Sequence, residues 1–446
     1  MKKKYFGTDG IRAASNSPKL NGLTMMRLGM SLGKLFTNGE HRHRVVIGKD
    51  TRLSGYTIEQ SITSGLLSMG LDVLLLGPIP TPGVAMLAKS MRADLGIMIS
   101  ASHNSYLDNG IKIFDKNGNK LSDKIELDLE SLMDSNIEDY LVSPEKMGRA
   151  KRLEDANARY IEFQKNTFPK KLNLEGLKIV LDCANGAAYK SAPIILWELG
   201  AEVISMGVNP NGLNINHECG STHPENMAMR VVEEKADIGI CLDGDGDRII
   251  ICDEKGKIID GDQILGLLAL HWKKFNQLST DSIVATSMSN FGLEEILNKN
   301  NIKLYRADVG DRYVKEMMLD VNANVGGEQS GHIILRDFIS TGDGMITALQ
   351  VLRIIIEKNQ LPSKTLNVFE PLPQKLLNFD VSDGSILQEN KTKQMIENCK
   401  GMLGNEGRIF ARMSGTESLL RVMIECKNSS ILDKVIHEVD SFFIKL

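Results

Sequence analysis

Residues 93–97 read Ala-Asp-Leu-Gly-Ile, and residues 236–240 read Ala-Asp-Ile-Gly-Ile. Each copy follows a helix-like segment and runs into a polar loop, so the chain is built on a duplicated unit. Short β-branched runs surround both copies: 44–48, 71–77 and 94–100 around the first, 177–183, 201–207 and 236–242 around the second. Runs 281–287 and 302–308 open the scheme a third time. Stretches apolar on both faces predict buried parallel strands, and the amphipathic segment 57–70 between the first two is their crossover helix. Downstream of each copy, 111–122 and 249–260 both read as a strand, a turn ending in Gly118 or Gly256, and another strand. Residues 322–335 give a third, partial echo in which a loop interrupts strand-like sequence.

A chain of 446 residues is too long for one core and predicts three or four. From about residue 371 the texture changes to a polar loop at 412–418, a strand at 419–426 and a closing helix from Ser430. In that helix Leu432, Val435, Ile436, Val439 and Phe443 form one core-facing stripe. With 42% hydrophobic and 25% charged residues and a net charge of -4, nothing marks the chain for nucleic acid or membrane binding. The basic start MKKKYFGTDG continues without the apolar region of a signal peptide, and no run approaches the roughly 20 apolar residues of a bilayer span. The six cysteines lack zinc-ligand or disulfide-framework spacing. The expectation is a cytoplasmic protein with reduced thiols.

In open α/β sheets ligands gather at the carboxyl ends of strands, which directs attention to SASHNS (100–105), DGDGDR (243–248) and GGEQSGH (326–332). Asp243, Asp245 and Asp247 alternate with glycines, so three carboxylates can converge on a hard cation, Mg²⁺ before Ca²⁺ or Mn²⁺. An EF-hand is excluded because its glycine position is Arg248 and its flanks are strands. The alternative, an acidic surface turn, leaves the mutual repulsion uncompensated. Ser102 presents a hydroxyl after a buried strand, or else belongs to a turn whose side chains bond only the backbone. Lys112 supplies positive charge to this place, or is an ordinary exposed strand lysine. Glu328, Ser330 and His332 suit a polyol or a cation, with a simple polar turn as the alternative. Arg412, Ser414, Gly415, Thr416 and Arg421 combine guanidinium forks, hydroxyls and loop N–H groups suited to phosphate. GTDGIR with Arg12 and GKDTRLSG with Arg52 are weaker anion-binding candidates. No Walker A pattern and no Gly-x-Ser-x-Gly elbow is present.

In their order and spacing, Ser102-His103-Asn104, Asp243 to Arg248, Glu328-Gln329-Ser330-Gly331-His332 and Arg412 to Glu417 resemble the α-D-phosphohexomutases over essentially the whole chain. GTDGIR, PIPTPG (78–83), NGLNINHECGSTHPE (211–225), VGDRYV (309–314) and Gln329 point to the branch acting on glucosamine phosphates. The resemblance implies an α/β protein of four domains around a central cleft, three related mixed α/β domains (1–152, 153–256, 257–370) and a smaller C-terminal α+β domain (371–446). It implies that Ser102 is carried as phosphoserine and that one Mg²⁺ is held by Asp243, Asp245, Asp247 and the Ser102 phosphate. Glucosamine 6-phosphate and glucosamine 1-phosphate would be interconverted through a 1,6-bisphosphate, supplying amino-sugar nucleotide and cell-wall precursors. On this reading Ser102, Lys112, Arg248, His332 and Arg12 are the catalytic group: Arg248 and Lys112 add positive field, and His332 or Lys112 handles the hydroxyl proton. Glu328 and Ser330 read the sugar, and the loop of Arg412 and Arg421 holds the phosphate that is not reacting. Glucosamine or glucose 1,6-bisphosphate would serve as activator, Ser102 would be primed by a kinase or by autophosphorylation, and the chain would be a monomer or homodimer. Ser105 and Ser418 stand where the family commonly has Pro, which removes a φ restraint at each place. The competing readings are a phosphomannomutase or phosphoglucomutase of the same family, a metal-dependent phosphatase, and a catalytically silent sugar-phosphate sensor.

Overall fold

The computed structural model describes residues 3–7, 9–39, 41–381, 384–413 and 419–443. Four sheets follow one another along the chain. The first contains β1 (Ile11–Ala14), β2 (Arg44–Lys49), β3 (Asp72–Pro78), β4 (Leu95–Ile99), β5 (Asp108–Asp115) and β6 (Ala150–Arg152), in the order β1-β5-β4-β2-β3-β6. The second contains β7 (Lys178–Asp182), β8 (Glu202–Met206), β9 (Ile238–Leu242), β10 (Ile249–Cys252) and β11 (Ile258–Ile259), ordered β11-β10-β9-β7-β8. The third, β13-β12-β14-β15, is made of β12 (Ser282–Thr286), β13 (Lys303–Ala307), β14 (Val325–Gly327) and β15 (Ile333–Leu335). In the last, β16 (Gln374–Asp380) and β17 (Gly407–Met413) flank β18 (Leu419–Cys426), all antiparallel.

The first three sheets share one plan. In each, three successive strands run parallel, and the strand after the third turns back antiparallel on it: β5 on β4, β10 on β9, β15 on β14; the first sheet adds β6 as a fourth parallel strand. The doubly apolar runs become central strands because helices cover both faces; every residue of β4, β9 and β12 is buried. The expected crossover helix is Gly55–Ser68, between β2 and β3. The expected second strand at 119–122 is no strand; that segment keeps only an isolated bridge, Phe114 to Lys120. Its counterpart after Gly256 survives as the two-residue β11. The C-terminal helix, Ser429–Phe443, buries Leu432, Val435, Val439 and Phe443 against the last sheet, whereas Ile436 is only partly buried.

The units are locked together rather than strung on linkers. One core cluster runs from Leu181 and Ile240 of the second sheet to Ile283 and Val325 of the third. Tyr160 donates its hydroxyl proton to Asp343 across 2.6 Å, and Gln164 adds an amide donor at 2.9 Å. Burial pushes the Asp343 carboxyl up to about 6, against the pull of those donors. Glu425 of β18 accepts from the Phe291 backbone N–H at 3.2 Å, and Arg408 of β17 donates to the Ser287 carbonyl at 2.8 Å, tying the last sheet to the third. Among the described residues, no helix is long and apolar enough to cross a membrane.

Candidate active site

The three loops singled out in the sequence are the three equivalent hairpin connections, β4 to β5, β9 to β10 and β14 to β15. Their common position at the carboxyl end of a third parallel strand lets them converge.

The first loop carries Ser102 in a left-handed conformation, φ +53°, a state costing roughly 1–2 kcal/mol for a residue with a Cβ. What holds it there is a buried scaffold. Arg52, fully buried, donates to the carbonyls of Ser102 (3.0 Å), Asn104 (2.8 Å), Asp108 (3.0 Å) and Ser105. Asp50 aligns that guanidinium at 2.8 Å and accepts from Ser100 Oγ at 2.6 Å, while Ser100 Oγ accepts the Ser102 N–H at 2.9 Å. From the second unit, Asn216 Nδ2 reaches the Ser102 and Asn104 carbonyls at 2.9 and 3.0 Å. Arg52, read from sequence as a weak anion-binding candidate, is therefore committed to loop carbonyls. Its five donors are turned inward because those carbonyls lack strand partners.

The scaffold leaves the Ser102 hydroxyl for the second loop, where it donates to Asp243 Oδ2 at 2.6 Å. Asp243, Asp245 and Asp247 are all buried, with one carboxylate oxygen of each within 4.8 Å of the others. Burial, then the charges of Asp247 and Asp245, push the Asp243 carboxyl well up. Asp247 goes the other way: burial alone would raise it, but Lys112 and His332 pull it well below the usual range. Lys112, only 2% exposed, donates to Asp245 at 2.8 Å and to Asp247 at 3.0 Å. It is not an exposed strand lysine. On β5 it alternates with Ile111 and Ile113, which face the core, so the pleat sends its side chain to the opposite face. Burial would lower its ammonium pKa, yet Asp245, Asp247 and Asp9 raise it well above the ordinary value.

Asp245 Oδ1 and Asp247 Oδ1 are buried and have no hydrogen-bond donor among the described residues. Two orphaned carboxylate oxygens beside Asp243, all hard donors, fit a divalent cation and are costly without one.

Around this centre stand the remaining candidates. The Arg248 N–H donates to Asp243 Oδ1 at 3.2 Å, and Arg248 forms an antiparallel bridge with His332 that joins the second and third loops. His332, buried, lies 3.5 Å from Asp247 and 3.7 Å from Asp311. Burial lowers its pKa, but Asp247 and Asp311 outweigh that and raise it. Arg12 pairs with Asp9 at 2.9 Å and lies on an edge strand, β1, that its glycine-rich motif concealed. Glu328 accepts the Gly310 N–H at 3.1 Å, Ser330 is exposed, and Gln329 donates to Asp260 at 3.1 Å. Arg412 and Arg421 are paired directly across β17 and β18. Burial pushes the Arg412 guanidinium down, Arg421 adds to this, and Glu328 opposes it, so Arg412 lies in the field of the Glu328 carboxylate. Ser414, Gly415 and Thr416 lie outside the described residues.

Several residues of the site were not selected on chemical grounds from sequence. Asp9, Lys120 and Asp311 form a chain in which Lys120 bridges the two acids, at 2.5 Å to Asp311. Thr81 donates its N–H to the Asp245 carbonyl at 2.9 Å, placing the PIPTPG turn against the acidic loop. The ring of His103 lies with Nδ1 3.4 Å from Ser102 Oγ, and burial, with Arg248 and Arg12, lowers its pKa to about 3. Asp9 and Asp311 did sit in quoted motifs, GTDGIR and VGDRYV, and that was the available signal.

A serine hydroxyl is buried against an acidic triad at the meeting of three equivalent hairpins, an arrangement that suits the phosphoryl-transfer class of site. The comparisons place the chain within that class. The sequence patterns of phosphoglucomutase/phosphomannomutase α/β/α domains I, II and III match residues 3–139, 158–256 and 260–372, and that of the C-terminal domain matches 376–441. The chain belongs to the phosphoglucomutase/phosphomannomutase family, the α-D-phosphohexomutases. It is 56% identical to the phosphoglucosamine mutase of Parvibaculum lavamentivorans, across 98% of both chains. It is 54% identical to that of Caulobacter vibrioides, across 99% of this chain and 98% of the relative. Among solved structures, a family protein from Burkholderia thailandensis superposes with a TM-score of 0.82 at 22% identity, covering 98% of this chain and 96% of the other. The N-acetylphosphoglucosamine mutase of Aspergillus fumigatus, solved with GlcNAc-6P and magnesium, superposes with a TM-score of 0.68 at 17% identity, covering 99% and 96%. At those identities the structural likeness speaks to the fold.

Proposed function

We propose that this chain is a phosphomutase that interconverts glucosamine 6-phosphate and glucosamine 1-phosphate through a phosphorylated Ser102. The observation that carries the reading is the 2.6 Å contact of Ser102 Oγ with Asp243 inside the acidic triad. Whole-chain identity above half to curated phosphoglucosamine mutases supports the substrate.

Moving phosphate between O6 and O1 of one sugar requires a phosphoryl group kept on the enzyme. As the bond from phosphorus to Ser102 Oγ breaks, a bond forms to the free sugar hydroxyl, whose proton leaves, and a 1,6-bisphosphate results. After the sugar turns over, the other phosphate returns to Ser102 and a proton goes back to the oxygen it leaves. Asp243, Asp245 and Asp247 would hold Mg²⁺, which when bound neutralises charge between phosphoserine and the acids. Lys112, pinned as an ammonium by Asp245 and Asp247, supplies positive field and is a poor base. His332, flanked by Asp247 and Asp311, is assigned the proton transfer. Arg12 and Arg248 orient the phosphoryl oxygens. Arg412 and Arg421, with the loop between them, hold the distal phosphate in either orientation of the ring, while Glu328 and Ser330 read its hydroxyls and amino group.

The test combines two measurements. Incubation with glucose 1,6-bisphosphate should add one phosphate to the intact protein, on the peptide containing Ser102. Ser102→Ala should fold, take up no phosphate and lose isomerisation; undiminished turnover in that variant would remove the mechanism. Relative kcat/KM should favour glucosamine phosphates over glucose and mannose phosphates, and the reverse order would reassign the substrate.

A further inference from the structure

At the other end of the first sheet stands a cluster that phosphoryl transfer does not use. His41 and His43 precede β2, and Asp94 precedes β4; because β2 and β4 are parallel neighbours, their starts lie side by side. Ser102 follows the far end of β4, roughly 20 Å away at a strand rise of ~3.3 Å per residue.

His41 Nε2 lies 3.1 Å, and His43 Nδ1 3.2 Å, from the same oxygen, Asp94 Oδ1. One ligand atom from each residue falls within 4.8 Å of the others. The His41 contact is itself a hydrogen bond; two ligands each about 2.0–2.2 Å from a tetrahedral ion are about 3.4 Å apart, so only a small widening of these separations would admit one ion. The other carboxylate oxygen, Oδ2, is fixed by the Arg44 backbone N–H at 2.8 Å, an outer contact of the kind that orients metal-bound carboxylates. The Arg44 guanidinium reaches the Met91 carbonyl at 3.4 Å.

The second observation is His43 itself. It is 4% exposed, yet neither ring nitrogen makes a hydrogen bond among the described residues, although Nδ1 is within 3.2 Å of a carboxylate oxygen. A proton on Nδ1 does not point at that oxygen. Both ring nitrogens of this buried imidazole are thus left without a hydrogen bond from the fold, a cost that a bound cation would offset. His41 is 62% exposed, so its ring can swing to complete the set, with water in the remaining position.

We infer that His41, His43 and Asp94 form a second metal site, for a borderline divalent ion with Zn²⁺ as the principal occupant. Two imidazoles and one carboxylate favour Zn²⁺, Co²⁺, Ni²⁺ or Cu²⁺ over Mg²⁺, so the site is chemically distinct from the all-oxygen triad. The ion clips the segment after the first helix, Gly22–Phe36, to the start of β4.

Zn²⁺ titration of the full-length protein by calorimetry, in millimolar Mg²⁺ to saturate the aspartates, should give one site per chain. His41→Ala should weaken that binding at least tenfold and leave turnover in Mg²⁺ unchanged, whereas replacing the exposed His437 by Ala should change neither the binding nor the turnover. With Cu²⁺ as probe, the electron paramagnetic resonance spectrum should show imidazole nitrogen couplings that vanish in His41→Ala. Since His41 is exposed, this variant should fold. Absence of Zn²⁺ binding above Mg²⁺, or equal affinity in wild type and His41→Ala, would overturn the assignment. Both readouts are independent of mutase activity.

Discussion

The loop after β4 and the loop after β9 occupy the same place in duplicated topology, and they are held in opposite ways. In the first, a buried guanidinium and an asparagine amide grip the backbone carbonyls, so the polypeptide is fixed and one hydroxyl is presented. In the second, the side chains carry the function and their charge is the difficulty: three buried carboxylates stand together, offset on the protein side by Lys112 and His332. Duplication thus produced two complementary halves, a presented hydroxyl and the carboxylates that face it. The cation of the first loop is permanently buried against Asp50. That of the second, Lys112, occupies acids that a bound divalent ion would also need.

The largest effect should come from spoiling the second loop's charge. Asp245→Asn removes one acid from the triad and one of the two negative charges that face Lys112, and should lower kcat about a thousand-fold while the circular dichroism spectrum is retained. A loss under tenfold would mean that the triad is a structural turn. Next is the first loop's scaffold. Arg52→Leu leaves Asp50 buried without its partner and strips donors from the loop carbonyls, so it should cost ~3 kcal/mol or more in urea denaturation. If stability were unchanged but KM for sugar phosphate rose, Arg52 would instead be an anion-binding residue.

What could be read from the chain follows the same division. The central strands were legible because burial on both faces writes itself into consecutive residues, as in Leu95–Ile99 and Ile238–Leu242. The Ser102 and aspartate loops stood out because their polar residue types are dense and local. Arg52 was misread because the direction of a guanidinium depends on carbonyls more than fifty residues away. The Asp9, Lys120 and Asp311 chain joins three remote segments; Asp9 and Asp311 sit in quoted motifs, but nothing local to either shows that Lys120 bridges them. Strand β1 was hidden by pairing at an edge with β5 directly after a glycine-rich turn, where four residues give too little periodicity. Lys112 carried a readable sign after the fact: a lysine flanked by Ile111, Ile113 and Phe114 on a strand buried along most of its length must find an acid.

Lys112 also sharpens the contrast between a fixed and a displaceable cation. Lys112→Met leaves Asp245 and Asp247 without their ammonium, so the metal-free protein should be less stable and Mg²⁺ should bind about tenfold more tightly, a gain of ~1.4 kcal/mol. Calorimetric titration with Mg²⁺ reads this directly. Weaker binding would show that the ammonium helps to shape the triad. In the wild type, EDTA should lower the thermal midpoint and abolish turnover, both reversed by added Mg²⁺.

The smallest effect tests whether the first loop needs help from the second unit. Asn216 sits at φ +57° and gives both amide hydrogens to carbonyls of the Ser102 loop. Asn216→Gly keeps the left-handed backbone accessible and deletes only the donors. Two lost hydrogen bonds should cost roughly 1–2 kcal/mol, but Arg52 still holds the same carbonyls from within the first unit. Folding should therefore survive, and kcat should fall only a few-fold as the hydroxyl loses alignment. A loss as large as that of Asp245→Asn would mean that the amide, not the buried guanidinium, sets the position of Ser102, and that neither half of the pair is preformed without the other.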